Sequence, residues 1–168
     1  KRFRRKPYIM TTPQEVMDNL DYDPSVVGVE VDVGTYHITS EEIIAYAKSI
    51  GESNPIYLEE AAAKASGHAS VVAPPLFYNL FINKLEPGLD PKVQFGTSGF
   101  DAGQHAEFFE PMRAGDTISA KAQIASVYAK TGRTGTMVFT VRRTTFINQD
   151  GEKTATLDRL NVRRDIKT

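Results

Sequence analysis

Apolar and polar residues alternate strictly near the start of the chain, with apolar residues at Val27, Val29, Val31 and Val33. This period of two predicts a β-strand with one buried face that ends at Gly34. Four further stretches with strand character follow, over residues 93–109, 118–128, 136–147 and 153–164. Short turns such as Asp150-Gly151 separate them and predict an antiparallel meander. A shift in the alternation at Ala125 predicts a β-bulge.

The region between the first strand and the others has helical periodicity. Thr39-Ser40-Glu41-Glu42 is a capping box, with Ile38 and Ile43 placed as a hydrophobic staple. A helix is therefore predicted to begin there and to end before Gly51. Residues 58–66 predict a second short helix that Gly67 closes, and residues 12–20 predict another near the N-terminus.

A third helix in this region is predicted over residues 75–86, because apolar side chains surround it almost completely, at Leu76, Phe77, Leu80, Phe81, Ile82 and Leu85. A helix that is apolar on most sides is a buried one. Leu80 and Phe81 are accordingly expected in the core. Pro75 suits the first helical turn.

This order of elements predicts the architecture. One strand, then helices with a long buried one among them, then four antiparallel strands indicate an α+β fold in which a five-stranded antiparallel sheet wraps around a central helix. That is the hot-dog arrangement. Its unpaired sheet edge predicts pairing with a second copy or a related subunit into a double hot dog. Residues 26–168 would form this domain, and residues 1–25 a basic arm with a short helix.

Composition removes several classes of site. The chain has no cysteine, which excludes disulfides, thiolate zinc sites and cysteine nucleophiles. His37, His68 and His105 have no short metal-ligand spacing, so neither a metal nor another cofactor is expected. No apolar run approaches the ~20 residues that span a membrane, and the N-terminus has no apolar signal core. A soluble, cytoplasmic protein is therefore expected.

Charge is distributed unevenly. Residues 1–6 contain five of the 20 basic residues and no acidic one, which leaves 15 basic against 21 acidic residues in the rest of the chain. That balance argues against a broad basic face for nucleic acid. The basic run itself is either a solvated tail or an arm that docks on a partner subunit or an anionic ligand.

The loop after the first capped helix supplies the most informative motif. Its sequence Glu52-Ser53-Asn54-Pro55-Ile56-Tyr57 is followed by Ala65-Ser66-Gly67-His68 and then by Val72-Ala73-Pro74-Pro75. In this order the motifs resemble the MaoC-like, or hydratase-2, hot-dog family. The likeness is greater to its N-terminal-type dehydratase subunits, and residues 111–116 resemble the family's turn between strands. The resemblance covers about residues 26–165.

That resemblance implies the reversible addition of water to a trans-2-enoyl thioester, which gives a (3R)-hydroxyacyl thioester. Active family members have a Gly-Asp-x-Asn-Pro-x-His loop, whose Asp and His hold the water and exchange protons. Here Glu52 occupies the Asp position and Tyr57 the His position. A phenol ionises near pH ~10, against ~6.5 for an imidazole, and is a poor substitute. The two catalytic positions are predicted to be inactive; a working Glu52/Tyr57 pair and contact with substrate without proton transfer are the alternatives.

The resemblance also implies substrate-binding positions at Asn54, Pro55, Gly67, His68, Ala73, Pro74 and Pro75. His68 precedes the buried helix, and it either lines the acyl channel or lies in a surface loop. His105 is expected to be a structural histidine within a strand.

These residues predict a component of an (R)-specific enoyl-CoA hydratase or 3-hydroxyacyl thioester dehydratase. The chain would be the substrate-binding half, paired with a second hot-dog subunit that supplies the intact Asp–His dyad, or otherwise a homodimer. Its substrate would be an acyl thioester of CoA or of acyl carrier protein. An acyl-CoA thioesterase is the first alternative, although the central helix has Asn79 and Asn83 where a catalytic carboxylate would lie. A non-catalytic scaffold that binds acyl thioesters is the second.

Overall fold

Five antiparallel strands form one sheet, in which the strands lie side by side in the order first, third, fourth, fifth and second along the chain. The computed structural model describes residues 12–133 and 135–164 of the chain. The strands are β1 (Val31–His37), β2 (Ser98–Phe108), β3 (Thr117–Gly132), β4 (Gly135–Ile147) and β5 (Lys153–Arg164). The predicted five-stranded antiparallel sheet is confirmed. The basic run over residues 1–6 lies outside the described residues.

The predicted meander is correct only for β3, β4 and β5. β2 pairs with β5 at one edge of the sheet, and β1 pairs with β3 at the other. The connection from β2 to β3 passes the hairpin between β4 and β5, where the backbone N–H of Thr117 donates to the side chain of Gln149. The eight residues of this connection are long enough to skip two strands, which a tight hairpin turn is not.

Two irregularities in the sheet follow from local sequence. The register of β3 against β4 shifts between Ile124 and Ser126, so the predicted bulge at Ala125 is confirmed. The first strand lies later than predicted, because Gly28 has a positive φ of 79° that interrupts the extended backbone. It then continues through Gly34 to His37 with a second register shift.

Three α-helices precede the main part of the sheet, namely α1 (Pro13–Asp18), α2 (Ser40–Ser49) and α3 (Glu60–Ala65). The capping box at Thr39 forms as predicted, and Ile38 and Ile43 of the staple are fully buried. α3 is shorter than predicted, because Glu59 is extended, with φ −133° and ψ 124°, and the helix begins only after it. Among the described residues, no helix is long and apolar enough to cross a membrane.

Only one face of the central segment is buried, and the segment is not the long α-helix, apolar on most sides, that the sequence predicted. It consists of two 3₁₀ turns, Phe77–Leu80 and Ile82–Lys84, after a left-handed residue at Leu76. Aromatic, β-branched and asparagine residues have low helix propensity, and they make up most of this segment. Phe81 is fully buried, whereas Leu80 is 38% exposed, so the expectation that Leu80 lies in the core was wrong.

The concave face of the sheet wraps around this central segment. Phe81 stacks on Tyr36 with ring centroids 4.5 Å apart and meets Phe146 edge-on at 5.7 Å. Tyr78 stacks on the other side of Phe146, at 5.6 Å. These aromatic contacts fix the central segment against β1 and β4, and the hot-dog fold predicted from the sequence is confirmed.

Candidate functional site

The loop that follows α2 is held by its own glutamate. Gly51 has a positive φ of 74° and ends the helix, and the N–H of Glu52 donates to the carbonyl of Ala47 at 2.9 Å. The Oε1 atom of Glu52 then accepts hydrogen bonds from the backbone N–H groups of Ser53 and Asn54, at 2.9 and 3.0 Å. The carboxylate at the family's Asp position therefore serves as a local cap of the loop.

Asn54 and Pro55 shape the next turn. Asn54 caps the 3₁₀ turn Pro55–Tyr57 by accepting a hydrogen bond from the N–H of Ile56 at 3.2 Å. Pro55 occupies the first position of the turn, where its missing N–H costs nothing. Both residues are exposed, and the turn they form directs the half-buried Tyr57 toward the segment that contains Ala73.

Backbone hydrogen bonds fix the Ala73-Pro74-Pro75 segment between two other parts of the chain. The N–H of Val72 donates to Ile56 at 3.1 Å, and the N–H of Ala73 donates to Met112 at 2.8 Å. Ala73 and Pro74 are buried, while Pro75 is exposed. The segment thus joins the loop after α2 to the turn that precedes β3.

These elements enclose a pocket of about 170 Å³, called here the front pocket. Four of the nine predicted site residues line it, namely Tyr57, Ala73, Pro74 and Pro75. Its remaining wall includes Phe108 and Phe109, which are each 51% exposed at the end of β2. The volume is below the ~300–1,000 Å³ of typical ligand sites. The front pocket of one chain is therefore small, open and mostly apolar.

The other five predicted residues lie outside the lining of the front pocket. These are Glu52, Asn54, Pro55, Gly67 and His68. Gly67 and His68 close the C-terminal end of α3, where their N–H groups donate to Lys64 and Ala63. His68 is half-buried in this turn.

The remaining histidines are far from forming a metal site. His105 lies on β2 with its ring exposed, 3.7 Å from the carboxylate of Glu107. His37 faces the hydroxyl of Thr117 at 3.3 Å. Within residues 12–133 and 135–164, no group of three or more metal-ligating side chains comes together.

Tyr78 is a candidate that the sequence analysis did not single out. Its side chain is 99% buried and lines the front pocket, and its hydroxyl has no hydrogen-bond partner among the described residues. Burial raises the pKa of the Tyr78 phenol, against the opposing effect of the nearby positive charge of Arg159. The phenol is thus a neutral donor beside the pocket. A tyrosine within an apolar run predicts core packing, so no sequence signal marked it.

The fold is that of the MaoC-like hot-dog proteins. The family model of the FAS1-like dehydratase domain region matches residues 25–157, and the chain belongs to this family. A UPF0336 protein of Streptomyces coelicolor is 32% identical over 114 residues, which cover 66% of this chain and 76% of the relative.

Solved structures of this fold include subunits of heteromeric complexes. The HadBC (3R)-hydroxyacyl-ACP dehydratase complex of Mycobacterium tuberculosis matches with a TM-score of 0.65 and 22% identity, over 82% of this chain and 96% of that chain. The ChsH1-ChsH2 complex of the same organism matches with a TM-score of 0.61 and 20% identity, over 84% and 85%. At these identities the likeness establishes the fold.

Proposed function

We propose that this chain is the substrate-binding half of an (R)-specific enoyl thioester hydratase or 3-hydroxyacyl thioester dehydratase. A second hot-dog subunit would supply the acid–base pair. The observation that carries the proposal is the position of Glu52. Its carboxylate accepts two hydrogen bonds from its own loop and does not line the front pocket.

The chemistry explains why a second subunit is needed. Hydration requires a base that takes a proton from water as the water oxygen bonds to C3 of the enoyl group, and an acid that returns a proton to C2. A fixed N–H donor must also stabilise the negative charge that develops on the thioester oxygen. The front pocket of this chain offers the phenols of Tyr57 and Tyr78 and the carboxylate of Glu110, but no imidazole among the described residues lines it to complete a carboxylate–imidazole pair.

The shape of the front pocket supports the same division. Phe108 and Phe109 are half exposed at its edge, and all but two residues of β2 are exposed along the sheet margin. A subunit that paired along β2 would cover these side chains and close the pocket. The similarity of the fold to subunits of the HadBC and ChsH1-ChsH2 complexes is consistent with a heteromeric assembly.

Co-expression with a candidate partner tests the proposal. The partner is a hot-dog subunit from the same genome that carries an intact Gly-Asp-x-Asn-Pro-x-His loop. Crotonyl-CoA hydration is measured for each chain alone and for the pair. We expect activity only in the pair. Mutation of the partner's Asp or His should lower kcat by about 10²-fold or more, the effect of losing a positioned acid–base group.

Variants of this chain provide the matched comparison. Glu52→Gln and Tyr57→Phe should each leave the activity of the pair within about threefold, because no proton passes through either side chain. The proposal fails if the isolated chain hydrates crotonyl-CoA efficiently and Glu52→Gln abolishes that activity. Glu52 would then be the acid–base residue of a homodimeric enzyme.

A further inference from the structure

A second cavity lies on the concave face of the sheet, at the far end of the central segment from the front pocket. It has a volume of about 330 Å³. We call it the arginine cavity, because the side chains of Arg142 and Arg159 line it. Its other walls come from the end of the central segment and from core positions of the sheet, among them Ile82, Leu85 and Ala122.

The two arginines lie side by side on neighbouring strands. Arg142 of β4 and Arg159 of β5 are direct register partners. Like charges in this arrangement destabilise a sheet. Arg142 donates to the carbonyl of Pro87 at 2.6 Å, whereas the Arg159 guanidinium has neither a hydrogen bond nor an ion pair within the described ranges. The charge of Asp90 also acts on Arg142, so Arg159 is the guanidinium of the two that this part of the structure leaves unpaired.

The adjacent arginine, Arg143, lies on the outer face of the sheet and has an acidic partner. Arg143 forms a two-point hydrogen-bonded ion pair with Asp158, with both N–O distances at 2.7 Å. In the arginine cavity the lining carboxylate is that of Glu86, and it lies beyond ion-pair distance of both guanidinium groups. The net charge of the lining is therefore +1, which matches one monoanion.

Tyr78 lies between the front pocket and Arg159 of the arginine cavity. Its ring lines the front pocket, and its buried phenol lies near enough to Arg159 for the arginine charge to act on it. The central segment between the cavities runs from Phe77 to Lys84. At the ~2 Å rise per residue of a 3₁₀ helix, this segment spans at most about 16 Å. This length is comparable with that of an extended acyl chain.

We propose that the arginine cavity binds a carboxylate at the distal end of the acyl chain of the substrate. The inference rests on the proposed function, and it narrows the substrate to acyl thioesters that carry a terminal carboxylate. The planar fork of Arg159 matches a carboxylate in two-point geometry. The apolar walls suit the methylene groups of the chain, and Glu86 disfavours a dianion such as phosphate.

Binding to the isolated chain tests the cavity without any catalysis. Isothermal titration calorimetry is run with octanoate, with octanol as the neutral ligand of equal chain length, and with inorganic phosphate. We expect octanoate to bind at least tenfold more tightly than octanol or phosphate. Arg159→Met should weaken octanoate binding at least tenfold. Lys121→Met, which removes an exposed charge beside Ala122 on the opposite face, should leave it within twofold.

Three results would overturn the proposal: no binding of octanoate, equal binding by wild type and Arg159→Met, or phosphate bound as tightly as octanoate. Folding of the variant is checked by thermal unfolding, and we expect the Tm of Arg159→Met to equal or exceed that of wild type because a like-charge pair is removed. If Arg159→Met does not fold, Arg159→Gln takes its place with the same expectation.

An activity measurement on the assembled pair separates this inference from the proposed function. The kcat/KM for an enoyl-CoA with a terminal carboxylate is compared with that for the unsubstituted enoyl-CoA of equal length. We expect a preference of at least tenfold for the carboxylate, lost in Arg159→Met. If the isolated chain binds the carboxylate but the assembled pair is inactive, the carboxylate site is supported and the proposed hydratase function is refuted. If the pair is active but has no preference for the terminal carboxylate, the hydratase function is supported and the carboxylate site is refuted.

Discussion

Two neighbouring side chains of the central segment, Leu80 and Phe81, differ sharply in burial. Phe81 is fully buried between aromatic rings, whereas Leu80 is 38% exposed. Phe81→Ala should lower the free energy of unfolding by about 3–5 kcal/mol, because a large cavity remains. Leu80→Ala should cost about 1 kcal/mol or less. Urea denaturation of the two variants measures both, and equal losses would contradict the described packing.

The hydroxyl of Tyr78 provides a second prediction for a single side chain. It is desolvated without a hydrogen-bond partner in the described part of the chain, so Tyr78→Phe should leave stability unchanged or raise it by about 1 kcal/mol. Tyr36→Phe is the matched control, because the Tyr36 hydroxyl donates to Glu42 and accepts from Lys84. The free energy of unfolding of that variant should be about 1 kcal/mol lower than that of wild type. A clear loss in Tyr78→Phe would reveal a partner for its hydroxyl.

The start of α2 is the element whose stability depends most clearly on pH. Burial alone would raise the pKa of Glu42, but hydrogen bonds from Tyr36 and Thr39 and the charge of Lys84 outweigh it, and the pKa is lowered. Because the folded pKa lies below the unfolded one, the stabilisation is present at neutral pH. It is lost as the pH falls through the folded pKa.

Glu42→Ala should therefore lower the free energy of unfolding by about 1 kcal/mol at pH 7, the value of a cap. The difference in free energy of unfolding between this variant and wild type should shrink as the pH falls below the ordinary pKa of a glutamate side chain. Glu41→Ala is the control, since Glu41 is exposed in the same turn. Thermal unfolding over a pH series measures both variants; a constant difference for Glu42→Ala would argue against the capping charge.

Local signals determined how far each element could be predicted. The capping box at Thr39 and the strand character of residues 153–164 involve neighbouring residues only, and both elements form as the sequence indicates. The central segment was predicted as an α-helix from its apolar content. Packing inside the sheet, together with the left-handed Leu76, selects 3₁₀ turns instead. The pairing of β2 with β5 depends on a long connection, which no local pattern specifies.

The candidate site was predictable to a similar extent. Motif order indicated Tyr57 and the Ala73-Pro74-Pro75 segment, which lie together around the front pocket. The sequence did not predict the arginine cavity, because Arg142 and Arg159 are far apart along the chain. Only the register of β4 against β5 makes them neighbours.

At the scale of the whole molecule, the edge of the sheet along β2 is the surface on which we expect the protein to assemble. Phe100 is 46% exposed on this strand, and an unpaired edge with exposed aromatic residues favours pairing. We expect a dimer in solution, either with itself or with a hot-dog partner. Phe100→Glu should weaken the dimer at least tenfold in sedimentation velocity experiments, and Phe100→Leu much less. A stable monomer at micromolar concentration, with no partner captured, would refute this expectation.

The order of strands in the sheet also has a consequence for how the chain folds. β3, β4 and β5 are joined by short turns and can pair soon after each is made, whereas Phe108 of β2 must wait for Ala155 of β5. Non-local pairing slows folding, because the chain loses the entropy of loop closure before any stabilising contact forms. During synthesis, β2 and its aromatic side chains therefore remain unpaired until β5 leaves the ribosome. Over that interval a chaperone or a finished partner subunit can protect the strand from aggregation.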